Sequence, residues 1–228
     1  MNLSLDKIKN LDKSFNYIIS PEISKFRKFS PKLKIGVLAS GKGTNFQELI
    51  NLSKKGELDI DIKVLITNKD DAGCIKRAES VKIPHKIIRG KDFSQNELFE
   101  LEIINTLNNF DVELIVMAGW MKIVTPFFIN RFKNKIINIH PSLLPAYKGG
   151  SAINDSILNG SKITGCSVHF VEEEVDSGSL IMQAALSIRD DDDIESLTKR
   201  IQILEHKILP QSISHVGFLI RSNFMENY

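Results

Sequence analysis

From Leu33 onward the apolar residues fall into short dense runs. Between those runs they recur every three or four positions. The runs Leu33–Ala39, Asp61–Thr67, His85–Ile88, Glu113–Ala118 and Lys135–His140 read as strands. Glu113–Ala118 is rich enough in Ile, Val and Met to be buried on both faces. The stretches Asn45–Ser53, Ala72–Val81, Gln95–Leu107 and Pro126–Phe132 read as helices. In the third of these, Leu98, Leu101, Ile104 and Leu107 mark one helical face. Alternation of this kind predicts an α/β fold, a Rossmann-like doubly wound and mostly parallel sheet.

The pattern changes after Gly150. Ala152–Leu158 reads as a short helix, and Gly165–Glu172 and Leu180–Leu186 alternate as strands. Asp176-Ser177-Gly178 sits in the turn region between them, so the spacing predicts a C-terminal antiparallel strand pair. A long closing helix follows over Ile194–Ser214, with Ile194, Leu197, Ile201, Leu204 and Ile208 on its apolar face. No internal repeat interrupts residues 33–228, which read as a single domain. Residues 1–32 stand apart as an N-terminal extension. Its Ile18, Ile19, Phe26 and Phe29 fit either packing onto the main domain or a mobile tail.

Composition narrows the function classes. The chain has 228 residues, 25% of them charged, with a formal net charge of +2. That balance argues against nucleic acid as the main partner, although residues 1–34 carry eight Lys or Arg against three acids. Two cysteines, Cys74 and Cys166, make no disulfide framework and favour a reduced, cytoplasmic setting. No run approaches the roughly 18 to 20 apolar residues of a membrane span. The expected partners are therefore small molecules, with no nucleic acid and no membrane, for a monomer or homodimer.

The densest chemistry lies in Asn138-Ile139-His140-Pro141-Ser142. Strand side chains alternate, so Asn138 and His140 point the same way, and Pro141 ends the strand. An amide and an imidazole then stand together at the C-terminal end of a strand, where open α/β sheets place their ligand crevices. An amide can hold a developing oxyanion and a histidine can move a proton near neutral pH, which suits acyl-type transfer. A structural histidine is the alternative. Ser40-Gly41-Lys42-Gly43-Thr44-Asn45 joins a strand to a helix start and fits either a phosphate cradle or a plain tight turn. Asp176 is either a turn former or a carboxylate that folds back on His140 to support proton transfer. His169 reads as a satisfied core histidine. Gln202 and Glu205 share a face of the closing helix, which an exposed polar surface would also explain. No run has metal-ligand spacing, and no metal is expected.

Together these stretches, with Ile66-Thr67-Asn68-Lys69, Ala118-Gly119-Trp120-Met121-Lys122-Ile123 and Glu205-His206, resemble the phosphoribosylglycinamide formyltransferases, folate-dependent enzymes of purine synthesis. The resemblance runs from about Leu33 to Leu219. It implies two ligands, 10-formyltetrahydrofolate as co-substrate and glycinamide ribonucleotide as acceptor. It implies Asn138, His140 and Asp176 as the catalytic trio. Gly43, Thr44 and Asn45 would hold the ribonucleotide phosphate, and Gln202 and Glu205 its ribose or glycine portion. Met121, Lys122, Ile123 and Val124 would line the folate site, with Val171–Asp176 closing over the pterin. Two departures stand out: Lys122 where the family often has Arg, and no Arg near Gln95-Asn96. Hydrolysis of the formyl folate and a non-catalytic nucleotide- or folate-binding module are the rival functions.

Overall fold

A computed structural model describes residues 15–22 and 25–223. In chain order it contains β1 (Tyr17–Ser20), β2 (Leu33–Leu38), α1 (Thr44–Lys54), β3 (Ile60–Thr67), α2 (Gly73–Ser80) and β4 (His85–Ile87). These are followed by α3 (Asn96–Asn109), β5 (Leu114–Met117), α4 (Pro126–Arg131) and β6 (Ile136–His140). The chain then forms α5 (Ala152–Leu158), β7 (Ile163–Phe170), β8 (Leu180–Ser187) and α6 (Ile194–Arg221).

One eight-stranded sheet runs in the order β1-β8-β7-β6-β5-β2-β3-β4. The pairs among β6, β5, β2, β3 and β4 are parallel. Those linking β6, β7, β8 and β1 are antiparallel. The mostly parallel, doubly wound sheet with a C-terminal antiparallel pair therefore matches the sequence reading. Two apolar clusters fill its two faces. One gathers Phe46 and Leu49 of α1 with Ile201, Leu204 and Ile208 of α6. The other gathers Phe99, Ile103 and Leu107 of α3 with Phe128 of α4.

Strand order reverses direction at β2, which has β3 on one side and β5 on the other. Loops leaving the carboxyl ends of parallel strands diverge at such a point and leave a crevice. The crevice here lies beyond β2, β5 and β6. Two of its loops are joined directly: Ser40 N–H donates to the Gly119 carbonyl at 2.9 Å, and Met121 N–H donates to Ser40 Oγ at 3.0 Å.

The closing helix runs to Arg221, past the expected end at Ser214, with Pro210 inside it. A proline there removes a helix hydrogen bond at a cost of about 3 kcal/mol. Packing on both sides outweighs that local penalty, because Ile208, Leu209, Ile213 and Val216 are all fully buried. Its start is fixed by a capping box, with Ser196 N–H donating to Asp193 Oδ1 at 2.7 Å and Asp193 N–H to Ser196 Oγ at 3.0 Å.

The residues just before β2 pack onto this helix. β1 pairs antiparallel with β8 and covers an edge that would otherwise offer unpaired backbone groups. Ser214 Oγ donates to the Arg27 carbonyl at 3.0 Å, and Arg221 donates to the carbonyls of Pro31 and Lys32. Phe29 lies so close to Gly217 that a Cβ there would come within 2.5 Å of its ring. Replacing Phe29 with alanine should lower stability by about 2 kcal/mol, because a half-buried ring is removed from a fitted site. For a chain of this size that is a drop of about 4–8 °C in Tm, and an unchanged thermal melt would contradict the contact.

Candidate active site

β6 delivers Asn138 and His140 to the crevice, and its antiparallel partner β7 sets His169 opposite Asn138 and Ser167 opposite His140. After β7 the chain turns back. Asp176 adopts φ 51°, a left-handed conformation that aspartate tolerates better than most residues. The turn brings its carboxylate against the strand end. Asp176 Oδ2 lies 3.3 Å from His140 Nδ1, and Oδ1 lies 3.5 Å from both Asn138 Nδ2 and His169 Nε2. Its side chain is only 9% exposed.

Hydrogen bonds fix the imidazoles. His169 Nδ1 is 2.7 Å from the Phe170 carbonyl, an acceptor, so Nδ1 carries a proton there. Its Nε2 lies 3.2 Å from Asn138 Nδ2 and orients that amide. His140 Nε2 donates to the Tyr147 carbonyl at 2.8 Å. Both His140 nitrogens therefore face acceptors, the Tyr147 carbonyl at Nε2 and the Asp176 carboxylate at Nδ1. Gly149 N–H donates to Asp176 Oδ2 at 2.8 Å. Burial pushes the Asp176 carboxyl up, but the His169 hydrogen bond, the Gly149 N–H and the facing imidazoles outweigh it and hold the pKa at about 2. The carboxylate is thus ionised throughout the neutral range.

Across the crevice, Gly43 caps α1 with φ 70°. A Cβ at that position would lie 2.6 Å from the Cys74 Cβ, so only glycine fits both the dihedral and the space. No side chain caps α1, and its first-turn N–H groups have no carbonyl within the helix to bond. Those donors and the positive helix end suit an anion. Arg77 stands beside them, its Nε donating to the Lys42 carbonyl at 2.8 Å and Nη1 to Gln47 Oε1 at 2.9 Å. Thr44 is half-buried. Asn45 is buried and its Nδ2 donates to Glu205 Oε2 at 2.9 Å, which joins the loop to α6. Burial raises the Glu205 pKa, offset in part by that hydrogen bond. Gln202 is half-buried one turn before Glu205. His206 is held down at about 4 by burial and by the Arg77 charge, so it is neutral at pH 7.

The loop after β5 shows a different chemistry. Met121 and Ile123 are 73% and 72% exposed, leaving apolar surface on this loop that a flat ligand could cover. Lys122 Nζ donates to Asn96 Oδ1 at 3.1 Å and lies 5.0 Å from the centre of the Phe99 ring. Val124 is buried in the second apolar cluster, while Val171 is half-buried at its edge. Among the described residues, no helix is long and apolar enough to cross a membrane.

The sequence reading missed several contributors. His169 was expected in the core, and it is 2% exposed, yet it touches both Asn138 and Asp176. The Tyr147 carbonyl, the Gly149 N–H and Arg77 were not singled out by sequence, since their placement depends on loop conformation or on a distant helix.

A doubly wound sheet with a buried His140–Asp176 pair and an oriented amide at one strand end is the architecture of an α/β group-transfer enzyme. The formyl transferase family matches this chain over residues 33–213, and the chain belongs to that family. It is 43% identical over 177 residues to a phosphoribosylglycinamide formyltransferase of Haemophilus influenzae, covering 78% of this chain and 84% of that protein. It is 42% identical over 189 residues to the trifunctional purine biosynthetic protein adenosine-3 of Chironomus tentans. That match takes in 82% of this chain but only 14% of the much longer relative. The crystal structure of glycinamide ribonucleotide transformylase 1 from Symbiobacterium toebii superposes with a TM-score of 0.81 at 34% identity, covering 87% of this chain and 93% of that one.

Proposed function

We propose that this chain transfers the formyl group of 10-formyltetrahydrofolate to the amine of glycinamide ribonucleotide, giving formylglycinamide ribonucleotide and tetrahydrofolate. The observation that carries the reading is the approach of Asp176 to within 3.3 Å of His140 Nδ1, beside Asn138. The acceptor's phosphate sits on Gly43, Thr44 and Asn45 at the start of α1, with Gln202 and Glu205 toward its ribose and glycine portion. The folate lies along Met121, Lys122, Ile123 and Val124, under Val171–Asp176.

The acceptor amine attacks the formyl carbon, a C–N bond forms, and the carbonyl electron pair moves onto oxygen. Asn138 Nδ2 donates to that oxyanion, and His140 Nδ1–H, 3.3 Å from Asp176 Oδ2, is shared between that carboxylate and the oxyanion. The amine then loses a proton while N10 gains one, and the bond from the formyl carbon to N10 breaks. Asp176, ionised at rest, holds His140 Nδ1 in place and relays the proton from the amine toward N10. His169 acts through Asn138 and Asp176 by fixing where their polar atoms point. Two free, buried cysteines, Cys74 and Cys166, support placing the enzyme in the reducing cytoplasm.

A steady-state absorbance assay tests this reading. Tetrahydrofolate should form only when glycinamide ribonucleotide is present; equal formation without it would favour hydrolysis and overturn the proposal. A second prediction concerns the helix start. Gly43→Ala should raise KM for the ribonucleotide about tenfold or more while KM for the folate barely moves, because strain falls on the anion cradle alone. Matched rises in both KM values would contradict that division of the crevice.

A further inference from the structure

Tyr147 adopts φ 53°, a region that crowds a bulky side chain. Unlike Asn or Asp, tyrosine has no short polar group to offset that conformation locally, so tertiary contacts must hold it. The contact is a 2.6 Å hydrogen bond between the Tyr147 hydroxyl and Ser161 Oγ. Ser161 is itself fixed, its N–H donating to the Ser156 carbonyl at the end of α5 at 3.0 Å. The phenol thus reaches from the reacting dyad to a firm part of the fold. Its backbone carbonyl receives His140 Nε2, and two residues on Gly149 N–H meets Asp176. One short strap therefore contacts both members of the dyad. The Lys148–Glu174 pair also joins the two loops, but with side chains 35% and 76% exposed it is a weak tie.

We propose that Tyr147 and Ser161 are positioning residues for formyl transfer. Their hydroxyl pair aims the Tyr147 carbonyl at His140 Nε2, and so fixes Nδ1 as the nitrogen that faces Asp176. Without the anchor, the strained backbone relaxes, the carbonyl turns away, and the imidazole is free to flip its ring. The link from the hydroxyl pair to the dyad runs through the Tyr147 backbone carbonyl, so both hydroxyls act through His140 and not on the substrates.

Tyr147→Phe and Ser161→Ala test this. Each should lower kcat about tenfold with KM for both substrates changed less than about twofold, since ring placement and not ligand binding is lost. The double variant should be no slower than either single one, because both remove the same link. Ser161→Thr, which keeps a hydroxyl, should restore most of the loss. Nitrogen-15 NMR of labelled histidine gives a readout without substrate: His140 Nε2 should show one well-defined hydrogen-bonded proton in the parent and an exchange-broadened signal in both variants. The kinetic arm rests on the proposed formyl transfer, whereas the NMR arm does not, so failure of the two can be told apart. Additive losses in kcat, or an unchanged His140 spectrum in Ser161→Ala, would overturn the assignment even if Tyr147→Phe failed to fold.

Discussion

His140→Ala should reduce kcat by about 10²–10³-fold, the usual cost of removing one donor to a developing oxyanion, and more if its proton transfer is lost as well. The fold should survive. His140 is 5% exposed, but its polar contacts are to Asp176 and to one loop carbonyl, and the surrounding apolar clusters do not depend on it. Circular dichroism and a thermal melt would verify that. KM for the ribonucleotide should change little, since the anion cradle at α1 lies across the crevice. A variant that folds and turns over near the parent rate would remove His140 from the chemistry.

Asp176→Asn should have the next largest effect. An amide keeps the shape but removes the negative charge facing His140 and His169. We expect a loss of about 10²-fold or more in kcat, with proton transfer to N10 the affected step. The substitution also has a signature in stability. Asp176 is lowered from 3.8 to about 2 in the folded chain, so its ionised form contributes stability above about pH 4. That contribution, about 2 kcal/mol, is lost as pH falls from about 4 through 2. The parent should therefore lose stability over that window by more than Asp176→Asn does. Denaturant midpoints taken from pH 5 to pH 2 would measure the difference, and parallel curves would show that the contacts of Asp176 with His169, Gly149 and His140 add nothing to folding.

Much of this architecture was legible because the pattern is periodic. The dense runs at Glu113–Ala118 and Lys135–His140 read as buried strands, and they became the two central strands of the sheet. The alternation in Asn138-Ile139-His140 placed two polar side chains on one face, and Pro141 told where the strand would stop. The closing helix was found by its apolar spacing, but its end was not. The apolar spacing that marked it runs out at Ile208, while contacts with the segment around Arg27 and Phe29 accompany its last turns to Arg221.

Less of the site could be read. Asp176 in a Ser/Gly turn has the same sequence appearance whether it points to solvent or back to His140, because the choice depends on one positive φ value and on where β7 pairs with β6. His169 looked like a core residue, and by exposure it is one. Its role comes from register, which sets it opposite Asn138. Tyr147 and Gly149 contribute backbone groups, which carry no residue signature at all. The Gly43 turn was visible, while Arg77, thirty-four residues further on, was not.

Transfer of the formyl carbon to the ribonucleotide amine is the claim on which everything else rests. A single-turnover experiment with the formyl carbon of the folate isotopically labelled tests it most directly, with the products resolved by mass spectrometry. Label should appear on glycinamide ribonucleotide in step with the loss of formyl folate, and this transfer should slow about a hundredfold in His140→Ala. Label released as formate, or transferred as fast without His140 as with it, would contradict the account.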